Sequence, residues 1–566
     1  SSKAIENGSP IALLPIDFST KFFTSYAVFL ILKPPSNCIN LGNMVVSKDN
    51  SVALDNILLE VMVNQVANPN AMVSAKSAID NSDFNILVTG FHRVPGLSLP
   101  EPRLANYWRG TKIKKAQSEI ALNSQEEQIV NFLNKANAAT GANVEMRIAG
   151  GFVRDKLLGG ESDDIDISIT KMSGFEFAQL LQQYGANDPN VGEAYRVSLE
   201  KSANPQEDQR PDLMVGGINI FGQKIEFVPM RTEKYDEQSR TPFAVRTDDV
   251  REDVVRRDLS INAMYYNIGT GQVEDYVGGR EDLQNNHLRT PRDPVQTFLD
   301  DPLRVLRVLR FHSRFPGSTI DPSIIQAMGQ PEVQEAYKNK VAPARAGPEL
   351  IKMMKGASPA DAIRVLFETD FYKTAFNVPE MEGLNPIRMD QQVEHHKHDL
   401  MEHTLQVLEH YNQTAVDKGL SDDRRINRNL SALFHDFGKM HPEIQQPHPK
   451  KPGQMQYLGH EEKSEEIAEA IMKTIGVGDK QRKYVGKLIN LHMRPHFDQP
   501  QWGNKAMGKM LRGIEIPGQE GESEALLEDL YDHAISDSYA TDPDRADEDV
   551  ALKRQHYQQF VDFGRQ

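Results

Sequence analysis

The chain has 566 residues, more than one compact core accommodates, so three or four domains are expected. Its 39% hydrophobic and 25% charged residues are ordinary for a soluble protein, and no apolar run approaches the ~18 residues that a membrane span needs. A net charge of −16 argues against a surface that coats nucleic acid throughout, and a single cysteine, Cys38, excludes an internal disulfide and points to a reducing, cytoplasmic setting.

Residues 1–100 carry only thirteen charged side chains and read as short β-type runs, "SPIALLPIDF", "YAVFLIL" and "FNILVTGF", broken by Pro, Asn, Ser and Gly. They hold no catalytic motif, and their low charge suggests a module that docks a protein partner. The chain opens on Ser1 rather than Met, which leaves processing and truncation both open. From about Ser118 an amphipathic helix, "EEQIVNFLNKANAAT", leads into a strand, "VEMRIAG", and then into "GGFVRDKLLGGESDDIDISI".

In that stretch Gly150 and Gly151 follow a strand and open a helix, where bare backbone amides could approach a phosphate, with Arg154 adding charge. A plain tight turn accounts for the glycines equally well. In "DDIDISI" the alternation of Ile165, Ile167 and Ile169 predicts a strand, whose period of two puts Asp164 and Asp166 on one face. Two such carboxylates can share Mg2+; a polar strand face is the competing reading. Glu226, between Ile225 and Phe227, is either a third carboxylate for the metal or a solvent-facing edge residue.

Farther on, "DVVRRDLSINAMYYNI" sets Arg256, Arg257 and Asp258 ahead of an alternating run. "FLDDPLRVLRVLRFHSRF" repeats Arg304, Arg307 and Arg310, with Arg314 four residues on. Steps of three and four residues align these arginines on one helical face, with Leu303, Leu306 and Leu309 beside them, and no Glu spaces them. Asp301 joins the row, and an Asp with an Arg can offer acceptors and forked donors to a base edge. Residues 301–360 hold nine Lys/Arg against five Asp/Glu, a basic stretch in an acidic chain. Helices dominate from Pro302 onward.

The series "GGFVRDKLLG…DDID", "IEFVPMR", "VRRDLSINAM", "VEDYVGGREDLQNNHLRTP" and "FLDDPLRVLRVLRFHSRF" resembles the class II tRNA nucleotidyltransferase and poly(A) polymerase family over about residues 145–360. The phrase "LRTPRDPVQTFLDDPLRVLR" is similar to CCA-adding enzymes of the eukaryotic type. The resemblance implies metal binding by Asp164 and Asp166, with Glu226 as third carboxylate, and nucleotide contacts from Gly150, Gly151, Arg154 and Arg257. It also implies that Asp301 and Arg304 hydrogen-bond the incoming CTP or ATP in place of a template, with Arg307 and Arg310 as further nucleotide contacts. The family's usual Glu-Asp is Asp300-Asp301 here. Asp258 is expected to brace Arg257 or a neighbouring loop.

Most of the sixteen histidines fall after residue 390. "HDLMEHTLQVL" puts His403 on an amphipathic helix, "LSALFHDFGKM" puts His435 and Asp436 at a helix end, and "YLGHEEKSEEIAEAIM" opens a helix with His460. Adjacent His and Asp can ligate one ion together. These features resemble the HD phosphohydrolase domain. The resemblance implies a divalent metal on His403, His435, Asp436 and Asp537, with His460 and His492 at a second metal or the substrate phosphate and Lys439 toward phosphate. It implies hydrolysis of phosphomonoesters or 2′,3′-cyclic phosphates. His395, His396 and His398, in a polar run, are expected to form a solvated helix start, and His448 and His496 to sit beside prolines in loops outside the site.

The fold expected is α+β: a nucleotidyltransferase (polymerase β-like) sheet with flanking helices, a helical neck, an all-α HD domain, and an unassigned β-rich N-terminal segment. The boundaries expected are 1–115, 116–297, 298–385 and 386–566. The function expected is template-independent addition of CCA to tRNA 3′ ends, with CTP, ATP and tRNA as partners and no membrane. A poly(A) polymerase, or a binding component that carries a degenerate enzyme, is the alternative.

Overall fold

The computed structural model describes residues 26–32, 39–46, 120–162, 165–197, 210–234, 243–385, 399–496, 503–541 and 546–564. The chain divides into two compact units, Ser1–Gly110 and Thr111–Gln566. In the first, β1 (Tyr26–Leu32) and β2 (Ile39–Val46) pair antiparallel, with a register shift between Val28 and Leu30. The run "YAVFLIL" is therefore the strand expected of it, whereas "SPIALLPIDF" and "FNILVTGF" lie outside the described residues.

The second unit opens with α1 (Ser124–Ala139), whose start is fixed by a capping box: Asn123 accepts from the Glu126 amide and Glu126 reaches back to the Asn123 amide. A seven-stranded sheet follows, built from β3 (Met146–Ala149), β4 (Ile165–Ile169), β5 (Tyr195–Arg196), β6 (Gly216–Ile220), β7 (Gln223–Pro229), β10 (Tyr265–Asn267) and β11 (Gln272–Glu274). A separate hairpin of β8 (Arg231–Lys234) and β9 (Phe243–Arg246) interrupts this order in the chain. Across the sheet the strands run β11-β10-β3-β4-β7-β6-β5, antiparallel except for β4 beside β7. Ile165, Ile167, Ile169, Ile225 and Phe227 are buried against α1 and the flanking α2 (Gly151–Leu157) and α3 (Gly174–Tyr184), while Asp166 is exposed. The alternation read from the sequence thus sets the face of β4.

After α4 (Val250–Val255) the chain becomes helical through α5 (Pro294–Asp300), α6 (Arg304–Arg314) and α7 (Pro343–Met354). Helix α6 does not have the open basic face its arginines suggest. Val305, Leu306, Val308, Leu309 and Phe311 are buried, and so is Arg304. The C-terminal part contains α8 (Leu400–Asp417), α9 (Asp422–Phe434), α10 (His460–Thr474), α11 (Asp479–Leu491), α12 (Ser523–Thr541) and α13 (Ala546–Gly564). Helix α8 packs on α9 and α12, and α10 on α11. One apolar core runs from Ile129 through α6 and α7 to Ile489 and Ala540, while Leu488, Met510, Leu526, Leu530 and Phe560 of the last helices bury their stripes in a second. No helix among the described residues is long and apolar enough to cross a membrane.

Candidate active sites

The first cluster lies where the sheet meets α6. Gly150, in the turn from β3 into α2, has φ 65°, a left-handed backbone that glycine adopts without strain. A Cβ there would stand 3.4 Å from the Arg257 guanidinium, so the glycine also lets that arginine close on the turn. Arg257 donates to Tyr265 (3.0 Å), to Asp253 (3.1 Å) and to Ser168 (3.4 Å). Ser168 follows Asp166 by two residues on β4, so both side chains leave the same face. Across the parallel pair Asp166 is in register with Glu226, which also pairs with Lys224 at 2.5 Å. Asp166, Glu226, Arg257 and the glycine turn are thereby brought to one side of the sheet. Asp164 lies outside the described residues.

Arg154 is buried, chelating Asp155 through two bonds of 2.9 and 2.8 Å, bonding Asn262, and lying 5.0 Å from the Phe311 ring centre of α6. The arginines of α6 are each met by groups from elsewhere in the chain. Arg304 donates to the Thr297 carbonyl (2.9 Å), Arg307 to Asp258 (2.8 Å), Arg310 pairs with Glu349 of α7 (3.0 Å) and Arg314 with Asp155 (3.0 Å). The acids that the sequence lacks between the arginines come from three other segments. Asp258 therefore holds Arg307 and, through Asn262 and the Leu259 amide, its own loop; it does not brace Arg257. Asp301 accepts from the Leu303 amide (3.3 Å) and from Arg345 of α7 (3.0 Å), so a cation of the basic 301–360 stretch meets the acid expected to read the base.

Two acids anchor this network. Burial opposes ionisation of Asp253, yet Arg256 and Arg257 hold its carboxyl well below the usual range; burial likewise opposes Asp258, which Arg307 and Asn262 hold low. A carboxylate with a depressed folded pKa contributes stability that is present above its unfolded value of ~3.9 and lost as pH falls below it. Asp253→Asn is expected to cost about 3–5 kcal/mol, because it removes the buried carboxylate that pairs with the partly buried Arg256 and Arg257 guanidinium groups. Urea unfolding at pH 7 and at about pH 3, below the unfolded value, measures this, and the gap between wild type and variant narrows at the lower pH.

The second cluster is built by α8, α9, α10, α11 and α12. His403 lies 2.9 Å from Asp537 and 3.5 Å from Asp436; His435 lies 3.3 Å from Asp436, and His460 lies 3.2 Å from the other oxygen of the same carboxylate. Two groups could each hold a metal ion: His403, His435 and Asp537, and Asp436, His460 and His492. Asp436 faces both, its Oδ2 toward His403 and His435 and its Oδ1 toward His460 and His492. Lys439, 2.8 Å from Asp436 Oδ2, completes the set expected from the sequence.

The donor chemistry fits a metal. The Nδ1 atoms of His435, His460 and His492 each lie within 2.8 Å of the backbone carbonyl three residues earlier. A carbonyl only accepts, so the proton is on Nδ1 and Nε2 presents a lone pair. The Nε2 atoms of His460 and His492 then face each other at 3.2 Å, a repulsive arrangement that a shared cation relieves. Burial opposes charge on His435, but Asp436 and Asp537 raise it above the usual histidine range; burial and the neighbouring His460 push His492 well down. Asp537, against burial, is held low by His403 and His496.

Gly438 explains the glycine of "HDFGK". Its amide donates to Ser464 (2.8 Å), and a Cβ would sit 2.2 Å from the His460 carbonyl oxygen and 2.8 Å from the Ser464 nitrogen, both backbone atoms. Gly438→Ala is expected to push α10 away, costing about 1–3 kcal/mol, and to weaken Mn2+ binding, as urea unfolding and calorimetric titration would show.

Sequence reading missed two residues here. His496, expected in a loop outside the site, pairs with Asp537 at 3.1 Å. His533 is fully buried beside His435, four residues before Asp537 on α12, and that spacing on one helical face was its available signal. His395, His396 and His398 lie outside the described residues.

Residues 146–289 match the family described as the poly A polymerase head domain, and residues 400–535 match the HD domain. The chain is 40% identical over 269 residues to the tRNA nucleotidyltransferase cca2 of Schizosaccharomyces pombe, covering 46% of this chain and 55% of that one. It is 34% identical over 352 residues to the mitochondrial CCA tRNA nucleotidyltransferase of Saccharomyces cerevisiae, covering 57% of this chain and 62% of that one. A multifunctional CCA protein of Cupriavidus metallidurans is 27% identical over 395 residues, 68% of this chain and 83% of its own length. The chain thus spans less than two thirds of the first two relatives.

Proposed function

We propose, for a chain in which a poly A polymerase head domain precedes an HD domain, that it adds CCA to tRNA 3′ ends from CTP and ATP without a template and also hydrolyses phosphate esters. The observation that carries the first activity is the shared face of β4 and β7, where Asp166 and Glu226 stand in register beside Arg257 and the Gly150–Gly151 turn. The names of the relatives point the same way. We assign residues 116–297 to nucleotidyl transfer, 298–385 to a neck, 386–566 to the HD part and 1–115 to docking a protein partner; the single cysteine favours a reducing compartment such as the cytoplasm.

Asp166 and Glu226, with Asp164, would hold Mg2+, which stabilises the attacking and leaving oxygens when bound. Gly150 and Gly151 leave room for the triphosphate, and Arg257 and Arg154 neutralise it. Asp301 and Arg304 would read the base edge, accepting from its amino group and donating to its ring nitrogen or oxygen. Arg307 and Arg310, fixed by Asp258 and Glu349, keep that pair in place and add charge toward phosphate. Because these groups are prepaired, catalysis rests on positioning.

In the HD part His403, His435, Asp436 and Asp537 would hold one divalent ion, and Asp436, His460 and His492 a second. Bound there, the ions supply an activated water and Lewis acidity. Lys439 brings a positive charge to the edge where a substrate phosphate would sit. The test is to supply CTP and ATP separately to the purified chain with tRNA lacking its 3′ CCA. CTP alone should extend it by two nucleotides and ATP alone should not extend it. Untemplated tails from ATP alone would identify a poly(A) polymerase instead.

A further inference from the structure

His533 has no assigned part in either activity. It is fully buried, and neither ring nitrogen has a hydrogen-bond partner among the described residues. Its surroundings are not those of an ordinary core residue. Its ring stands edge-on to His435 at 4.9 Å and stacks near His492 at 5.8 Å, so it touches one member of each candidate metal group. It also stacks on Tyr411 at 5.2 Å, which is itself fixed by a hydroxyl bond to the Asp529 carbonyl and by the Arg428 guanidinium 3.9 Å from its ring centre. Asp537 follows one turn later on α12.

A buried imidazole without a hydrogen bond is costly, and a phenylalanine would fill the same stack without that penalty. Such residues are retained where a ligand of the site supplies the missing bond. The imidazole lies outside both sets of converging ligand atoms, so it reaches them through an intervening molecule rather than as a direct ligand.

We propose that His533 is a positioning residue of the hydrolase centre, whose free ring nitrogen hydrogen-bonds a water held between the two metal groups and orients it toward the substrate phosphorus. The inference rests on the hydrolase reading above. It also explains why the stack behind the ring is so firmly built: Arg428 and Tyr411 limit rotation of the imidazole, so that its nitrogen keeps one direction.

The test compares the full chain with His533→Phe and His533→Gln, using Mn2+ and 2′,3′-cyclic AMP. His533→Phe should bind the same number of Mn2+ equivalents and hold its melting temperature. Its kcat should fall about a hundredfold with KM within about twofold, and Mn2+-dependent relaxation of water protons should change. His533→Gln, which restores a hydrogen-bonding group in a poorer shape, should recover at least about tenfold of the loss. A packing role predicts the reverse order, with Phe better than Gln, and that result, or a Phe variant as active as wild type, overturns the inference alone. If Phe does not pack, His533→Met supplies the apolar comparison. A wild-type chain that binds no Mn2+ and leaves 2′,3′-cyclic AMP intact overturns the hydrolase reading, and the inference with it.

Discussion

Asp166→Ala is expected to lower nucleotidyl transfer by at least about a thousandfold, ~4 kcal/mol of transition-state stabilisation at ~1.36 kcal/mol per decade, and to leave hydrolysis of 2′,3′-cyclic AMP at the wild-type rate. The size follows from its place. Asp166 stands on the exposed face of β4, in register with Glu226 and two residues before the serine that Arg257 touches. On the proposed function, losing it would remove a hard oxygen donor and a negative charge from the metal site, and with them the ion that would offset the triphosphate beside the neighbouring arginines. Because the side chain is exposed, the fold is spared, and the change in unfolding free energy stays within about 0.5 kcal/mol. Single-turnover extension of tRNA, with urea unfolding as a control, measures both. Loss of less than tenfold would remove Asp166 from the metal site.

Asp436→Ala has the opposite profile. Both oxygens of this buried carboxylate are engaged, toward His403, His435 and Lys439 on one and His460 on the other. Burial opposes its ionisation, yet Lys439 and His435 hold it well below the usual carboxylate range. Its removal takes a ligand from the group it forms with His460 and His492 and the facing carboxylate from His403 and His435, and it deprives Lys439 of this carboxylate. Hydrolysis of 2′,3′-cyclic AMP is expected to fall by at least about a thousandfold, with Mn2+ equivalents reduced, and stability by about 3–5 kcal/mol. CCA addition is expected to persist at temperatures where the variant is folded. The pair of variants therefore separates the two activities, and a loss of both functions in either folded variant would argue that one site serves both.

Much of this arrangement was legible in the sequence because it depends on local periodicity. The two-residue period of "DDIDISI" places Asp166 outward and its isoleucines inward, and "HDFGK" sets His435, Asp436 and Lys439 within one turn. The unreadable part is long-range pairing. Arg307 and Asp258 are 49 residues apart and Arg314 and Asp155 are 159 apart, so an apparently open basic helix face is closed by acids no helical repeat could reveal. The same limit hid the bond of His496 to Asp537, since a histidine beside a proline in a loop gives no hint of the helix it will meet. Gly438 was visible as a letter and not as a contact, because its role is to let two backbones touch. In the first unit only the hairpin of "YAVFLIL" with Ile39–Val46 can be compared with its pattern.

Central to the proposed function is what the head domain does to an RNA end. Incubating the chain with a tRNA transcript that lacks its CCA, together with CTP and ATP, and sequencing the 3′ ends tests this most directly. The ends should carry C, C and A in that order and stop after three nucleotides. Ends that carry runs of A, or that remain unextended while the chain is folded, would contradict it.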